Sequence, residues 1–330
     1  MTQLPTLFVS HGAPTLAIDD GPAHRFLKTC GKNLGRPKAI LMLSAHYEAP
    51  TAAVTGSAFP GTIHDFRGFP DALYDISYPA PGDPALAQRV SNLLSTAGIE
   101  THIDEERGLD HGAWIPLSLM YPDADVPVVQ VSIDARKGAA YHLHLGEVLR
   151  PLRDEGVLII GSGGATHNLS HAIGAPQDEP IVEWASTFRE WLADTVGNDR
   201  RDELANYRDI APDAIRNHPT DEHFFPLLCA IGATQPGEPR RRIHASDTYG
   251  ALAMDAYMVG ARRDYLKQPE GCFNPAGFAA TPLRIKTLSR FIEQQSSSTS
   301  RTPKMKKGPR WGPFVIWRAR RDSNSRPPGS

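Results

Sequence analysis

Four histidines stand where a chemical site is expected, because three follow apolar runs and one lies in an acidic segment. They are His11, His46, His167 and His223. The runs before the first three are typical of buried strands, and the carboxyl ends of strands are where sites assemble in an open α/β sheet. Neutral imidazoles that converge from separate strands suit a divalent metal. The pattern therefore predicts a mononuclear metal site.

A structural role for each of these histidines remains an alternative on the residues alone. A single histidine at a strand end is more often a packing residue than a ligand, whereas two at equivalent strand ends, His11 and His46, favour a shared ligand role. His223 follows Asp221 and Glu222. It is either a third ligand or a residue that caps or packs a helix.

Other motifs of catalysis or cofactor binding are weak or absent in the sequence. The run Gly161-Ser-Gly-Gly164 lacks the Gly-Lys-Ser/Thr ending of a phosphate-binding loop and the GxGxxG spacing, so we expect it to free space for a substrate instead. There is no Gly-x-Ser-x-Gly elbow, no HExxH and no CxxC. Nucleophilic catalysis, zincin chemistry and a zinc ribbon are therefore poorly supported.

Apolar runs that alternate with helical patterns predict a mostly parallel sheet covered on both faces. The predicted strands are Thr6–Ser10, Ala39–Ala45, Val126–Ile133 and Val157–Gly161, and the predicted helices are Pro22–Lys32, Pro84–Ala97, Ala139–Arg153 and Pro180–Val196. Thr220 is predicted to cap a further helix that starts near Asp221, with Pro226 tolerated in its first turn. Residues 246–259 are expected to add a short strand.

Composition indicates an ordinary soluble protein of 330 residues, with 40% hydrophobic and 22% charged residues. No apolar run is long enough to span a membrane, and the first residues do not resemble a secretory signal. Three widely spaced cysteines favour a reducing compartment, and we expect a cytoplasmic protein. Residues 296–330 hold nine Lys and Arg against one Asp. The remainder is therefore acidic, which argues against nucleic-acid binding.

Two long segments differ from the strand and helix pattern. The connection from Pro50 to Pro84 is rich in Gly, Pro and aromatic residues, and such a length inside a domain usually serves function. After about residue 260 the periodicity decays, and Ser, Lys, Arg and Pro dominate from Gln294 onward. We therefore expect a catalytic domain at residues 1–262 and a largely disordered extension at 263–330.

Six motifs in a fixed order resemble those of the class III extradiol ring-cleavage dioxygenases. Within that family they are most similar to the 4,5-DOPA dioxygenase extradiol branch, over about residues 5–260. The motifs are Phe8-Val-Ser-His-Gly-Ala-Pro14, Leu43-Ser-Ala-His-Tyr-Glu48, His64-Asp-Phe-Arg-Gly-Phe-Pro70, Leu109-Asp-His-Gly-Ala-Trp114, Gly161-Ser-Gly-Gly-Ala-Thr-His-Asn168 and His223-Phe-Phe-Pro-Leu-Leu228.

The resemblance implies a single-domain α/β sandwich of three layers, with one Fe(II) or Zn(II) per chain. It implies that His11, His46 and His223 are metal ligands. His167 would be the active-site histidine beside the metal, which in this branch is also described as a ligand, and His111 would line the substrate site. The wider superfamily uses two histidines and one glutamate, whereas the third position here matches His223, with Glu222 as its neighbour.

The implied reaction opens a catechol-type, DOPA-like ring next to its two hydroxyls, with O2 as co-substrate. A histidine that is not a ligand would take a catechol proton and later return one, and His111 and His167 are the candidates. We expect His64, Phe66 and Arg67 to bind the substrate, with Arg67 pairing with a carboxylate. No nucleic-acid or membrane partner is expected, and a homo-oligomer is left open.

Two other function classes fit parts of the same pattern. A non-catalytic, Memo-like protein that binds a metal or a partner would share the fold, but the complete histidine set and the segment from His64 to Pro70 favour an enzyme. A zinc hydrolase would use a zinc-bound hydroxide with Glu48 as base, and it would need no O2. Uptake of O2 in the presence of a catechol separates both alternatives from a dioxygenase.

Overall fold

Four parallel strands form the part of the central sheet from which the histidines emerge. A computed structural model describes residues 3–260, and the six-stranded sheet has the order β5-β2-β6-β1-β10-β7. Its first four strands are parallel, whereas β10 is antiparallel to β1 and β7 is antiparallel to β10. The strands are β1 (Thr6–Ser10), β2 (Ala39–Ser44), β3 (Ala52–Thr55), β4 (Thr101–Asp104), β5 (Val128–Gln130), β6 (Val157–Gly163), β7 (Arg240–His244), β8 (Asp247–Thr248), β9 (Leu252–Ala253) and β10 (Ala256–Val259).

Helices cover both faces of this sheet. They are α1 (Pro22–Leu34), α2 (Pro84–Thr96), α3 (His111–Met120), α4 (Gly138–Leu149), α5 (Leu169–Ala172), α6 (Glu183–Gly197), α7 (Arg201–Ala205), α8 (Tyr207–Ile210), α9 (Ala214–Asn217) and α10 (Phe225–Gly232). Leu7 and Val9 of β1 join the core that includes α1 and α3. Phe8, between them, joins the core that includes α6 and α10 on the opposite face. This alternation along a buried strand gives the three-layer sandwich that the sequence predicted.

Most of the predicted elements are present, with shifts at their ends. The predicted strand at residues 126–133 is confined to β5, and the predicted helix that ends at Arg153 stops at Leu149. A separate 3-10 helix, Arg150–Arg153, follows it with Pro151 in its first turn. Pro151 lacks the N–H that an α-helical hydrogen bond requires, so α4 ends before it. The parallel pair of β3 and β4, and the helix α3, were not predicted.

The helix predicted to start near Asp221 begins later, so His223 lies before it. Helix α10 starts at Phe225, with Pro226 in its first turn. The Thr220 hydroxyl hydrogen-bonds to Glu222 rather than capping the helix. The carbonyl oxygen of His223 accepts a hydrogen bond of 2.9 Å from the amide of Gly164. This bond holds the His223 turn against the end of β6. Within a helix, the same carbonyl oxygen would instead accept from the amide four residues later.

Two further expectations concern membrane-spanning helices and the domain boundary. Within residues 3–260, no helix combines the length and the apolar character needed to cross a membrane. The expected domain boundary at residues 262 and 263, together with the extension that follows it, lies outside the described residues.

Histidines also occur in the core, where the hydrogen bonds require a neutral ring. His142 Nδ1 donates to the Gly138 carbonyl oxygen at 2.7 Å, and His142 Nε2 accepts from the Asp134 amide at 3.3 Å. The ring stacks on Phe225 with centroids 4.0 Å apart. Burial lowers the pKa of His142 from 6.5 to about 4. Burial also lowers the pKa values of His218 and His244 to about 4.

We predict that the free energy of unfolding is highest above pH 6.5 and falls as the pH decreases toward about 4. Over this range the unfolded chain binds a proton at His142 that the folded chain does not, because the folded pKa is lowered. His142 alone contributes about 3 kcal/mol to the loss. Urea unfolding across this pH range measures the effect. His142→Gln should reduce the pH dependence, whereas His144→Gln, at an exposed position, should preserve it; equal pH dependence in both variants would contradict the prediction.

Candidate metal centre

Five histidines meet at the carboxyl edge of the parallel strands. His11 follows the last residue of β1, His46 lies two residues after β2, and His167 lies four residues after β6. His111 is the first residue of α3, and His223 occupies the turn before α10. Because parallel strands end at one edge of a sheet, side chains that are distant in sequence are brought together here.

Three of these histidines direct one ring nitrogen each toward a common point. Ligand atoms of His11, His46 and His223 all lie within 4.8 Å of one another. The distance between His11 Nε2 and His46 Nε2 is 3.0 Å. His223 Nε2 is buried and has no hydrogen-bond partner among the described residues. A buried polar atom without a partner is costly unless an additional group satisfies it.

The hydrogen bonds of the opposite ring nitrogens assign the tautomers of His11 and His223. The Ser162 hydroxyl donates its proton to the Gly112 carbonyl oxygen, so it accepts from His11 Nδ1 at 3.0 Å. His223 Nδ1 donates to the Glu222 carboxylate at 2.9 Å. In both rings the proton is therefore on Nδ1, and Nε2 presents a lone pair to the common point.

His46 completes this arrangement beside a carboxylate. Its Nδ1 lies 3.7 Å from Asp65 Oδ2, and its Nε2 faces His11. At 3.0 Å the two Nε2 atoms can share a hydrogen bond when the His46 proton is on Nε2, and they can both face a cation when that proton is on Nδ1 beside Asp65. Three neutral imidazole donors are a ligand set for Fe(II) or Zn(II). The residues present thus fit a divalent metal, which His11, His46 and His223 would hold.

Burial keeps four histidines of this cluster in the neutral form that binds a metal. Burial lowers the pKa of His11, His46, His167 and His223 well below 6.5, and the neighbouring histidines lower it further. A protonated ring would lack solvation and would be repelled by any neighbouring histidine that is also protonated. The cluster therefore disfavours protons and leaves its nitrogens available to a metal.

His167 belongs to the cluster but not to the group of three. Its ring stacks on that of His223, with centroids 3.3 Å apart and planes 11° apart. Its ligand atom groups with those of Glu222 and His223 rather than with those of His11 and His46. This position beside the centre fits an active-site base more directly than a fourth ligand.

Asp65 fixes the position and the tautomer of His111, a role that no sequence pattern indicated. Asp65 Oδ1 accepts hydrogen bonds from His111 Nδ1 at 2.8 Å and from the His111 amide at 3.0 Å. Burial raises the pKa of Asp65, but the two contacts with His111 outweigh it, and the pKa lies well below its usual range. The Nδ1 proton of His111 is thereby fixed, so Nε2 is its basic nitrogen. The motif His64-Asp-Phe-Arg held this residue, but only the tertiary contact reveals its role.

A cavity of about 310 Å³ opens above the histidines. Such a volume suits one small ligand. It is lined by Pro14, Ala45, His46, Glu48, Asp65, Phe66, Phe69, His111, His167, Leu169, Ser170, Pro219, Thr220, Glu222 and His223. Of the residues predicted to bind the substrate, Phe66 reaches the cavity.

His64 and Arg67 occupy other positions than the predicted role requires. His64 Nε2 donates to the Ile76 carbonyl oxygen at 3.0 Å, and its ring contacts Phe66 and Trp114. It therefore supports Phe66 from behind. The Arg67 side chain is exposed and is absent from the cavity lining. Asp65 and Phe66 thus line the cavity, whereas His64 and Arg67 on either side of them do not.

The glycines at the end of β6 serve close packing of the backbone. A Cβ atom at Gly163 would lie 2.1 Å from the His223 carbonyl oxygen, and one at Gly161 would lie 2.1 Å from the Pro226 carbonyl oxygen. The space that these glycines free is filled by the His223 turn and the start of α10. This corrects the expectation that the glycine run makes room for a substrate.

Comparison with known proteins identifies relatives over nearly the whole described chain. The family described as "Catalytic LigB subunit of aromatic ring-opening dioxygenase" matches residues 5–258. A protein of Beta vulgaris named "4,5-DOPA dioxygenase extradiol" is 43% identical over 256 residues, which cover 76% of this chain and 95% of the relative. An Escherichia coli K12 protein of the same name is 42% identical over 263 residues, covering 78% and 96%.

A solved structure shows the same fold. The crystal structure of an uncharacterized protein from Escherichia coli K12 superimposes with a TM-score of 0.66 at 37% sequence identity. The match covers 78% of this chain and 100% of that chain.

We predict that Glu222→Gln weakens metal binding by roughly 10- to 100-fold. The substitution removes the charged acceptor that holds the proton on His223 Nδ1, so Nε2 becomes a weaker ligand. Competition with a chromophoric chelator measures the affinity. Glu155→Gln is the matched control, because Glu155 precedes β6 at the opposite edge of the sheet and pairs with Arg89. An affinity equal to that of the control would show that Glu222 does not organise the ligand.

Proposed function

The chain belongs to the LigB family of aromatic ring-opening dioxygenases and is an extradiol ring-cleavage enzyme, and we propose that it acts on a DOPA-like catechol with Fe(II) at the three-histidine centre. The observation that carries this proposal is the convergence of three Nε2 atoms at the base of a cavity that fits one small aromatic molecule. The relatives named 4,5-DOPA dioxygenase extradiol support the choice of substrate class.

The donor set supports a divalent metal held by His11, His46 and His223. When bound, Fe(II) would supply positive charge that favours ionised catechol oxygens and a path for electrons between the ring and O2. Zn(II) suits the same three imidazoles but has no redox chemistry of its own. We therefore propose Fe(II) for the oxidative reaction, with Zn(II) as a competing occupant.

The remaining histidines would move protons. Burial lowers the pKa of His167, so its neutral ring would accept a proton from a catechol hydroxyl and later return it. Asp65 accepts the Nδ1 proton of His111, so the basic nitrogen of His111 is Nε2. This nitrogen would contact the substrate. Ring contacts would come from Phe66, which His64 supports from behind. Arg67, outside the cavity, has no contact to contribute in this arrangement.

A cytoplasmic location belongs to the same proposal. Cys30 and Cys229 are buried free thiols, which supports a reducing compartment. A homo-oligomer stays a prediction that no observation on this chain tests.

We predict that the protein loaded anaerobically with Fe(II) consumes O2 when DOPA is added and forms a yellow ring-opened semialdehyde. The reason is that the cavity brings an aromatic ring next to the three-histidine centre. An oxygen electrode measures the uptake of O2 and absorbance spectroscopy measures the coloured product, and Zn(II)-loaded protein is the control. The absence of O2 uptake with DOPA and with other catechols would contradict the proposed function.

We predict that His167→Ala retains the fold and the metal but lowers kcat by roughly 10²- to 10⁴-fold. The loss reflects the missing proton acceptor, because His167 lies outside the group of three ligands. Steady-state kinetics with metal analysis and thermal unfolding separates this result from metal loss. His144→Ala, at an exposed site on α4, is the control variant. Unchanged turnover in His167→Ala, or loss of the metal, would overturn the assigned role.

A further inference from the structure

We propose that Asp110 is a positioning residue of this site, which holds the metal ligand His46 and the active-site histidine His111 in a fixed relative placement. The proposal rests on the proposed function and deepens it, because it concerns how two groups of the same site are kept in place. The Asp110 side chain is 0% exposed, and it is not among the residues that line the cavity. It therefore acts through other residues rather than on the substrate.

The Asp110 carboxylate is shared by three elements that meet at the histidine cluster. Its Oδ1 accepts a hydrogen bond of 2.6 Å from the Ser44 hydroxyl at the end of β2, and one of 3.2 Å from the Ala113 amide in the first turn of α3. Its Oδ2 accepts a hydrogen bond of 3.0 Å from Gln130 Nε2 at the end of β5. One side chain thus joins two strand ends to the helix that begins at His111.

The backbone of His46 is held on both sides by partners of Asp110. The Ser44 hydroxyl, which donates to Asp110, accepts from the His46 amide at 3.2 Å. Arg107 Nη2 lies 3.6 Å from Asp110 Oδ2 and donates to the His46 carbonyl oxygen at 3.0 Å. The amide and the carbonyl group of this ligand are therefore both located through the same carboxylate.

The first turn of α3 packs directly on His46. A Cβ atom at Gly112 would lie 2.4 Å from Ser44 Oγ and 3.0 Å from His46 Cδ2, so no side chain fits between the helix and the ligand. The rings of His46 and His111 have centroids 3.9 Å apart. A small shift of this turn would change the placement of His111 relative to the ligand, and a misplacement of about 1 Å can lower a rate by roughly 100-fold.

Capping of α3 does not by itself account for a buried carboxylate at this position. Serine and asparagine cap a helix about as well as aspartate does, and a buried charge is costly unless it is paired. Asp83 provides the comparison, because it caps α2 through the Leu86 amide at 2.9 Å from a partly exposed position. Asp110 differs in its further partners, which hold the backbone of a metal ligand, and these partners are what the buried charge serves.

Two substitutions separate positioning from helix capping. Asp110→Ser retains a capping oxygen but has no second oxygen for Gln130 and Arg107. Ser44→Ala removes the link to the metal ligand and leaves the cap of α3 intact. Asp83→Ser is the matched control, because it makes the same replacement at the cap of α2. Thermal unfolding of the full chain establishes that each variant is folded.

Co(II) bound in place of Fe(II) gives a readout that needs no turnover, because its visible absorption reports the arrangement of its ligands. In Asp110→Ser and Ser44→Ala we expect a changed Co(II) spectrum and a Co(II) affinity lowered by roughly 10-fold. With saturating Fe(II), kcat for DOPA should fall by roughly 100-fold while KM changes by less than about threefold. Asp83→Ser should retain the spectrum, the affinity and the kcat of the unmodified protein.

The outcomes distinguish this proposal from the proposed function. An unchanged Co(II) spectrum and an unchanged kcat in Asp110→Ser and Ser44→Ala would overturn it, even if the unfolding temperature is lower, and so would an equal spectral change in Asp83→Ser. If the unmodified protein oxidises no catechol while the spectrum changes in the two variants alone, the proposed function fails and the positioning role is supported. Should Asp110→Ser not fold, Ser44→Ala decides by the same measurements.

Discussion

The structure depends on one electrostatic constraint, which is that ring nitrogens of three histidines are held close to a single buried point. His11 Nε2 and His46 Nε2 are 3.0 Å apart, and His223 Nε2 lacks a hydrogen-bond partner among the described residues. Outside the centre, Ser162 and Glu222 hold the protons of two of the rings and prevent them from turning. Burial disfavours protonation of these rings, so a metal cation would satisfy this arrangement.

Adjacent strands of the sheet place the histidines close enough together to meet this constraint. His11 and His46 emerge from strands that flank β6, the strand that leads to His167. The other two histidines lie at helix starts rather than strand ends, since His111 is the first residue of α3 and His223 precedes α10. Asp110 connects the two sets, because it caps α3 and also accepts a hydrogen bond of 2.6 Å from Ser44 at the end of β2. Helix cap and strand end are thereby positioned by the same buried carboxylate.

The sequence was informative where chemistry follows a regular element. His11 and His46 were predicted from strand ends, because the point where a continuous apolar run stops can be recognised in the sequence. His111 lacked such a signal and was found through the order of motifs. The irregular segment from His64 to Arg67 has no period, so the side that each residue faces could not be predicted. Asp65 acts through a contact 46 residues away, and Arg67 points outward. The start of α10 was placed too early, because the bond between Gly164 and His223 is tertiary.

The absence of side chains at Gly161 and Gly163 has a consequence for how this enzyme tolerates sequence change. The His223 turn is located by direct contact between two backbones, with a hydrogen bond from Gly164 beside it. No packed side chain stands between them to transmit a change of volume. A side chain added at either glycine would therefore act directly on the backbone that carries His223. The position of the His223 turn is thus set by the closest approach of two backbones at this edge of the sheet.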